Sequence, residues 1–345
     1  MSISIDTLLP RMAGFNLIDC EIKDRETFYL LGREDYTQRT GRRELEDAPP
    51  EGRLPKRIFV LRLNNAEGKR WGHMHLTGLN QSFCAMTYAP EEKILVVDSD
   101  TKVWSQNPNS NGFEPPSTTK GEGGILAGPV TRVKSFGAEL WACSACRQVL
   151  KRNGPSQWEL LGPPINVSDS DFRGCGFDDF DRFSPNDVYA VGGSGEVWHF
   201  DGAVWRRCKF PSSWGISAVL CAPDGNVYIA AGTVIYRGFE DRWERLDTKD
   251  LITLPIKDLV WYEGQLWATN DYGIWTLSDH SLMPADVPSA VKVCSGNLAV
   301  RDGVMLLAGY GGAAYKRDGT WVVIFHDHEV REWFGANRDK VWKSP

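Results

Sequence analysis

No stretch of this chain approaches the roughly 18 uninterrupted apolar residues that a membrane-crossing helix requires, so none is expected. The opening MSISIDTLLPRMAG (Met1–Gly14) lacks a basic start followed by a long apolar run. Asp6 and Pro10 interrupt what there is, which argues against a secretory leader. An excess of positive charge is missing too. The chain has 39 Lys and Arg against 45 Asp and Glu, a formal charge of −6, and phosphate attraction rests on a cationic surplus. Neither nucleic-acid nor membrane binding is therefore expected. Catalytic fingerprints are also absent: there is no GxSxG, HExxH, P-loop or dinucleotide motif, and GEGG (Gly121–Gly124) has neither the lysine nor the strand-to-helix setting of a phosphate cradle. The 8 cysteines are scattered along a long chain, as in a cytoplasmic protein with reduced, buried thiols.

What is abundant is glycine and tryptophan, 34 and 14 in 345 residues, with 42% apolar residues to build a core. They are periodic. Val188, Val227, Leu266 and Met305 open equivalent strands at a constant step of 39 residues, and weaker copies begin at Ile94 and Leu140. A period near 40 is the mark of a repeat architecture. Within each copy two large apolar residues lie eight or nine positions apart, as in Tyr189/Trp198, Trp267/Trp275 and Leu306/Tyr315, with Gly, Asn, Asp or Ser between them for a tight turn. A second turn then often leads to a tryptophan: Trp158, Trp205, Trp243 and Trp321. Apolar inner strands precede the copies, among them Thr131–Phe136, Ile216–Cys221 and Ile256–Tyr262.

Four short antiparallel strands per 40 residues make one propeller blade. Such a sheet cannot bury both its faces alone, and face-to-face packing around an axis covers each with its neighbour. The four tryptophans are expected to fill the gaps between blades. Six blades run from Ser82 to Phe325, and Phe15–Leu76 supplies a seventh, interrupted by a long polar insertion at 33–56. WFGANRDKVW (Trp333–Trp342) imitates a first hairpin, so the segment 326–345 is a candidate for closing the ring with the N-terminus. The expectation is an all-β protein: one domain over 1–345, a seven-bladed β-propeller of four-stranded antiparallel blades, with six and eight as the bounds of the count.

On these residues the chain resembles the β-propeller superfamily, nearest to its Asp-box, kelch and WD-repeat types. KRDGTW (Lys316–Trp321) is similar to an Asp box but lacks its serine, HFDGAVW (His199–Trp205) departs the same way, and no Trp-Asp dipeptide ends a blade. The resemblance implies a rigid scaffold used by enzymes, receptors and assemblies alike, so function has to come from the loops.

In a propeller the strand 2–3 turns and the interblade connections share one face. That places Asp100, Asn270, Asp271, Tyr272 and Tyr310, with Asp169, Asp171, Phe172, Arg173 and Trp214 from the longer connections, in one candidate partner-binding set. The acidic tract Asn166–Asp181 could attract a basic partner, but it lacks the ligand order of a Ca²⁺ loop. Cys143 and Cys146 form a lone CxxC without a second ligand pair. His73/His75 and His326/His328 are only two-ligand pairs. No catalytic residue, metal or cofactor is assigned.

The resulting expectation is a non-enzymatic protein-binding propeller, cytoplasmic and monomeric when unbound, with a basic protein partner. Its most concrete form is an immunity-type protein that neutralises a toxin or effector domain through one loop face. Two alternatives stay open. One is a glycan hydrolase or lyase working in the central funnel, with Asp100, Asp171, Arg173 and Asp271 as candidates. The other is a structural scaffold subunit of a larger assembly.

Overall fold

The structure, a computed structural model, describes residues 3–41, 47–88, 91–106, 112–115, 126–163, 176–248 and 251–341. It is a seven-bladed β-propeller. Blade 1 is β1 (Phe15–Asp24), β2 (Thr27–Glu34), β3 (Lys56–Arg62) and β4 (Trp71–Leu76). Blade 2 has β5 (Ser82–Thr87), β6 (Lys93–Asp98) and β7 (Val103–Ser105), with a single bridge from Trp104 to Phe113 in the fourth-strand position. Blade 3 is β8 (Val130–Phe136), β9 (Glu139–Ser144), β10 (Gln148–Gly154) and β11 (Gln157–Gly162). Blade 4 is β12 (Asp179–Ser184), β13 (Asp187–Gly192), β14 (Glu196–Phe200) and β15 (Trp205–Arg207). Blade 5 is β16 (Ile216–Cys221), β17 (Val227–Ala231), β18 (Val234–Phe239) and β19 (Arg242–Arg245). Blade 6 is β20 (Asp258–Tyr262), β21 (Gln265–Asn270), β22 (Gly273–Ser278) and β23 (Ser281–Pro284). Blade 7 is β24 (Asn297–Arg301), β25 (Val304–Gly309), β26 (Gly312–Arg317) and β27 (Thr320–His326). Strands consecutive in sequence are neighbours in every sheet. The four anchors of the repeat all lie in second strands and are at most 1% exposed, as a position covered on both faces requires.

The chain divides into two compact units, residues 1–82, 271–273 and 286–345, and residues 83–270 and 274–285. In the first unit, blades 1 and 7 pack face to face. Ile22, Phe28 and Leu30 share one cluster with Val304, Leu306 and Tyr315. The Phe28 and Tyr315 rings are 5.0 Å apart. Each such side chain withdrawn from water contributes about 1.5–3 kcal/mol. Two ion pairs border the seam, Arg25–Asp318 at 2.6 Å and Arg317–Glu26 at 2.8 Å.

The C-terminal expectation is corrected here. Residues 327–341 form a helix rather than a hairpin, and blade 1 takes all its strands from the N-terminal segment. The helix follows from the local sequence. Asp327 and Glu329 sit in its first turn, where the helix dipole favours acids, and Glu329 accepts a hydrogen bond from the His326 backbone N–H at 2.9 Å. Val330 and Phe334, four apart, bury one face in the cluster that also holds Leu8 and Met12. The described part of the insertion, 33–41 and 47–56, is not all loop. It contains helix Tyr36–Thr40 and a 3-10 turn, Glu51–Arg53. Glu51 receives Arg33 at 2.8 Å and the fully buried Lys56 at 2.9 Å, and Lys56 also donates to the Leu79 carbonyl.

In the second unit, side chains on the innermost strands tie successive blades together. The Asp179 carboxylate on β12 accepts the Val219 N–H of β16 at 2.8 Å and faces Lys134 of β8 at 2.8 Å and Arg132 at 3.4 Å. Two residues on, Asp181 accepts the Cys221 N–H at 2.8 Å. Alternate strand positions share a face, so this i, i+2 pair of carboxylates meets alternate N–H groups on the free edge of the next inner strand. Of the four tryptophans, Trp158, Trp205 and Trp243 pack at seams between blades, from half-buried positions. Trp205 stacks on Phe200 at 5.4 Å and donates to the Leu161 carbonyl at 3.0 Å, and Trp243 meets Phe210 at 5.4 Å.

Candidate functional site

The strand 2–3 turns of the second unit are held by the connections that cross them. Val130 donates to the Ser99 carbonyl, Phe177 to that of Ser144 and Ile256 to that of Gly232, each at 2.9–3.0 Å. The connection from blade 4 to blade 5 is the most tightly seated. It bridges Ser194 through Gly215, and the Gly232 N–H donates to the Gly215 carbonyl. A Cβ on Gly232 would stand 2.3 Å from the Trp214 ring, so glycine is what lets the indole lie on this turn.

Trp214 is thus fixed at its base and yet 59% exposed. Leu251 and Leu254, exposed as well, come from the next connection, which is bonded to the same Gly232 through Ile256. A rigid exposed aromatic, with exposed leucines on a connection bonded to the same turn, has the character of an interface anchor. Sequence reading singled out Trp214 but not the leucines. In LITLP (Leu251–Pro255) Ile252 is buried and its apolar neighbours are not, a distinction the residue types do not carry.

The other candidates fall into four groups. Asp100 lies in the β6–β7 turn, half-buried, with its N–H bonded to the Asp98 carboxylate. In the first unit, Tyr272 and Tyr310 are 75% and 52% exposed, and Asp271 is half-buried. The turn carrying Tyr310 lies against the Val293 carbonyl at Gly311, and Val293 is itself exposed. Asn270 does not fit a partner surface. It is 4% exposed, and its amide donates to the Leu254 carbonyl at 3.2 Å, so it buttresses the connection that bears the leucines. Asp169, Asp171, Phe172 and Arg173 lie outside the described residues.

The remaining chemistry is structural. Of the acidic tract, Asp179 and Asp181 belong to the inner-strand network, and Asp178 accepts from the Gly193 N–H at 3.1 Å. Burial raises the Asp178 carboxyl above its ordinary range and pushes Asp181 up to about 6. Cys143 is fully buried and its thiol is pushed up to about 12, and burial also raises Cys146, which disfavours the thiolate that metal or redox chemistry needs. His73 and His75 lie on β4, both lowered by burial and then by Arg57, while His326 and His328 stack at 5.3 Å. Among the described residues no group of three or more His, Cys, Asp or Glu could hold a metal ion. No helix there is long and apolar enough to cross a membrane.

No family model matches the chain. It is 29% identical over 167 residues to immune protein Tsi7 of Pseudomonas aeruginosa, an alignment covering 48% of this chain. The match spans about half of that relative's length, 54%. Among solved structures, the WD40 β-propeller domain of Doa1 is similar with a TM-score of 0.58 and 11% identity, covering 86% of this chain and 91% of that one. Virginiamycin B lyase from Staphylococcus aureus is similar with a TM-score of 0.59 and 9% identity, covering 87% and 94%. At such identities these structures bear on the fold alone.

Proposed function

We propose that this chain, one propeller domain over residues 1–345, is a non-enzymatic, immunity-type protein that binds and neutralises a toxin or effector domain through the turn-bearing ends of its blades. The observation that carries the reading is the similarity to an immune protein over 167 residues. Support comes from the exposed Trp214, Tyr272 and Tyr310, each on a strand 2–3 turn or an interblade connection. Tryptophan and tyrosine contribute most at interfaces when they are held rigidly before binding, and the Gly232 seat holds Trp214 in that way. A formal charge of −6 favours a basic partner. In this reading the protein acts in the cytoplasm, monomeric until bound, without metal or cofactor.

The test is co-expression with each polypeptide encoded beside its own gene. The expected outcome is that one of them stops growth alone, is tolerated with this chain and elutes with it as a complex. Trp214→Ala should weaken that complex by about 2 kcal/mol or more while leaving thermal unfolding unchanged, because the ring is largely in solvent. Rescue without a complex would refute the reading. So would turnover of a glycan that is lost on changing Asp100 or Asp271.

A further inference from the structure

We propose that the outer edge of blades 4 and 5 is a docking strip for an acidic polypeptide segment of a partner protein. The strip begins where the two blades are stitched together. Asp241, in the β18–β19 turn, accepts Arg206 at 3.0 Å and the Lys209 N–H at 2.8 Å, and Glu240 is 3.5 Å from the same Arg206. Phe210 then runs along β19, its ring 5.4 Å from Trp243 and 4.9 Å from Tyr236. The acids here are already engaged, since Glu244 is held by Arg237 at 2.8 Å and faces His280 at 3.3 Å.

The cations left over are Arg207, Lys209, Arg242 and Arg245, all exposed. The nearest ion-pair contact among them is Arg207 to Glu196 at 3.9 Å, and Glu196 is already gripped by Arg147 at 2.6 Å. A local surplus of exposed cations over acids on a chain of charge −6 calls for carboxylates from outside.

Three features favour a polypeptide over a phosphate polymer. Glu240, Asp241 and Glu244 lie among the cations and would repel a uniformly charged backbone, whereas spaced carboxylates can avoid them. Val204 in the β14–β15 turn and Phe239 at the end of β18, 59% and 46% exposed, offer apolar contacts. The outermost strands β15 and β19 each have a neighbour on one side only, so an extended segment can add main-chain hydrogen bonds. The strip lies along β15 and β19 and shares only Lys209 and Phe210 with the connection bearing Trp214, so reversal at Arg242 and Arg245 tests it apart from the neutralisation reading, which is tested at Trp214.

The experiment is fluorescence anisotropy of a labelled Asp/Glu-rich peptide titrated with the full chain at low and at physiological salt. Binding that weakens with salt is expected. Arg242→Glu combined with Arg245→Glu should weaken it at least tenfold, with an unaltered melting curve. Trp214→Ala and Lys292→Glu, the latter exposed in the other unit, should leave it unchanged. The proposal is overturned if the wild-type chain does not bind, if the double reversal binds equally well, or if a single-stranded oligonucleotide binds more tightly through the same arginines.

Discussion

Asp179 offers the sharpest test of how the blades are joined. Its carboxylate is 0% exposed, caps the Val219 N–H and is the acid facing Lys134 at 2.8 Å and Arg132 at 3.4 Å. The Lys134 ammonium also reaches the Val219 carbonyl at 3.5 Å, so one acid serves three inner strands. Burial lowers a lysine pKa and a nearby carboxylate restores it; here Lys134 ends raised, with Asp179 and then Asp181 holding the charge. Asp179→Ala leaves the half-buried Lys134 without its main counter-ion and the Val219 N–H without its acceptor. Removing one partner of a fully buried pair costs about 3–5 kcal/mol, and with Lys134 partly in water the loss here is expected at about 2–3 kcal/mol. Urea unfolding followed by tryptophan fluorescence, with midpoint and slope fitted together, measures the loss. Asp179→Asn keeps the acceptor and should lose less. Lys134→Met on the Asp179→Ala background should recover at least about 1 kcal/mol, because the uncompensated charge is gone. If Asp179→Ala unfolds within about 1 kcal/mol of the wild type, the inner-strand network is not what joins these blades.

Asp181 sets a pH limb. Its folded pKa of about 6 lies above the ordinary 3.8, so the folded state binds the proton more tightly than the unfolded chain. Stability contributed by this group is therefore highest below about pH 4 and falls as pH rises to about 6, by at most about 3 kcal/mol, less what water regains at a half-buried side chain. Asp181→Asn should flatten that limb in a pH series of melts; an unchanged slope would show that the carboxyl titrates normally. Trp205→Ala should cost about 2–3 kcal/mol, below the 3–5 of a fully buried aromatic, since the ring is half-buried and its N–H bonds to Leu161. A melt within error of wild type would place that tryptophan outside the interblade packing. Asn270→Ala should cost about 1–3 kcal/mol through the lost bond to the Leu254 carbonyl and should also loosen the connection bearing Leu251 and Leu254, read as faster amide exchange at Ile256.

Much of this fold is legible from spacing. The inner strand Ile216–Cys221 has the bounds expected of it, and Val188, Val227, Leu266 and Met305 mark second strands as the 39-residue step requires. Strand alternation and turn chemistry act over a few residues, so one copy of the unit contains its own instructions. The C-terminal segment misled because aromatic spacing in WFGANRDKVW matches a hairpin, while Val330 and Phe334 carry a helical period that only packing against Leu8 and Met12 makes decisive.

By itself the sequence determined the kind of blade and expected seven within bounds of six and eight, because repeat length and periodicity are local properties of the chain; the C-terminal helix, which removes the eighth, is a matter of packing. The tertiary structure alone decided which polar residues face inward. Asp179 and Asp181 read as surface acids, and Asn270 as a surface amide, until each is seen opposite its partner, from Leu254 at sixteen residues' remove to the inner edge of the next blade about forty residues on. The same holds for Trp214, which is exposed because a glycine from the following blade gives its ring a seat and nothing further covers it among the described residues. Burial depends on what stands across the gap, and that is set by how the blades pack, not by neighbours in the chain.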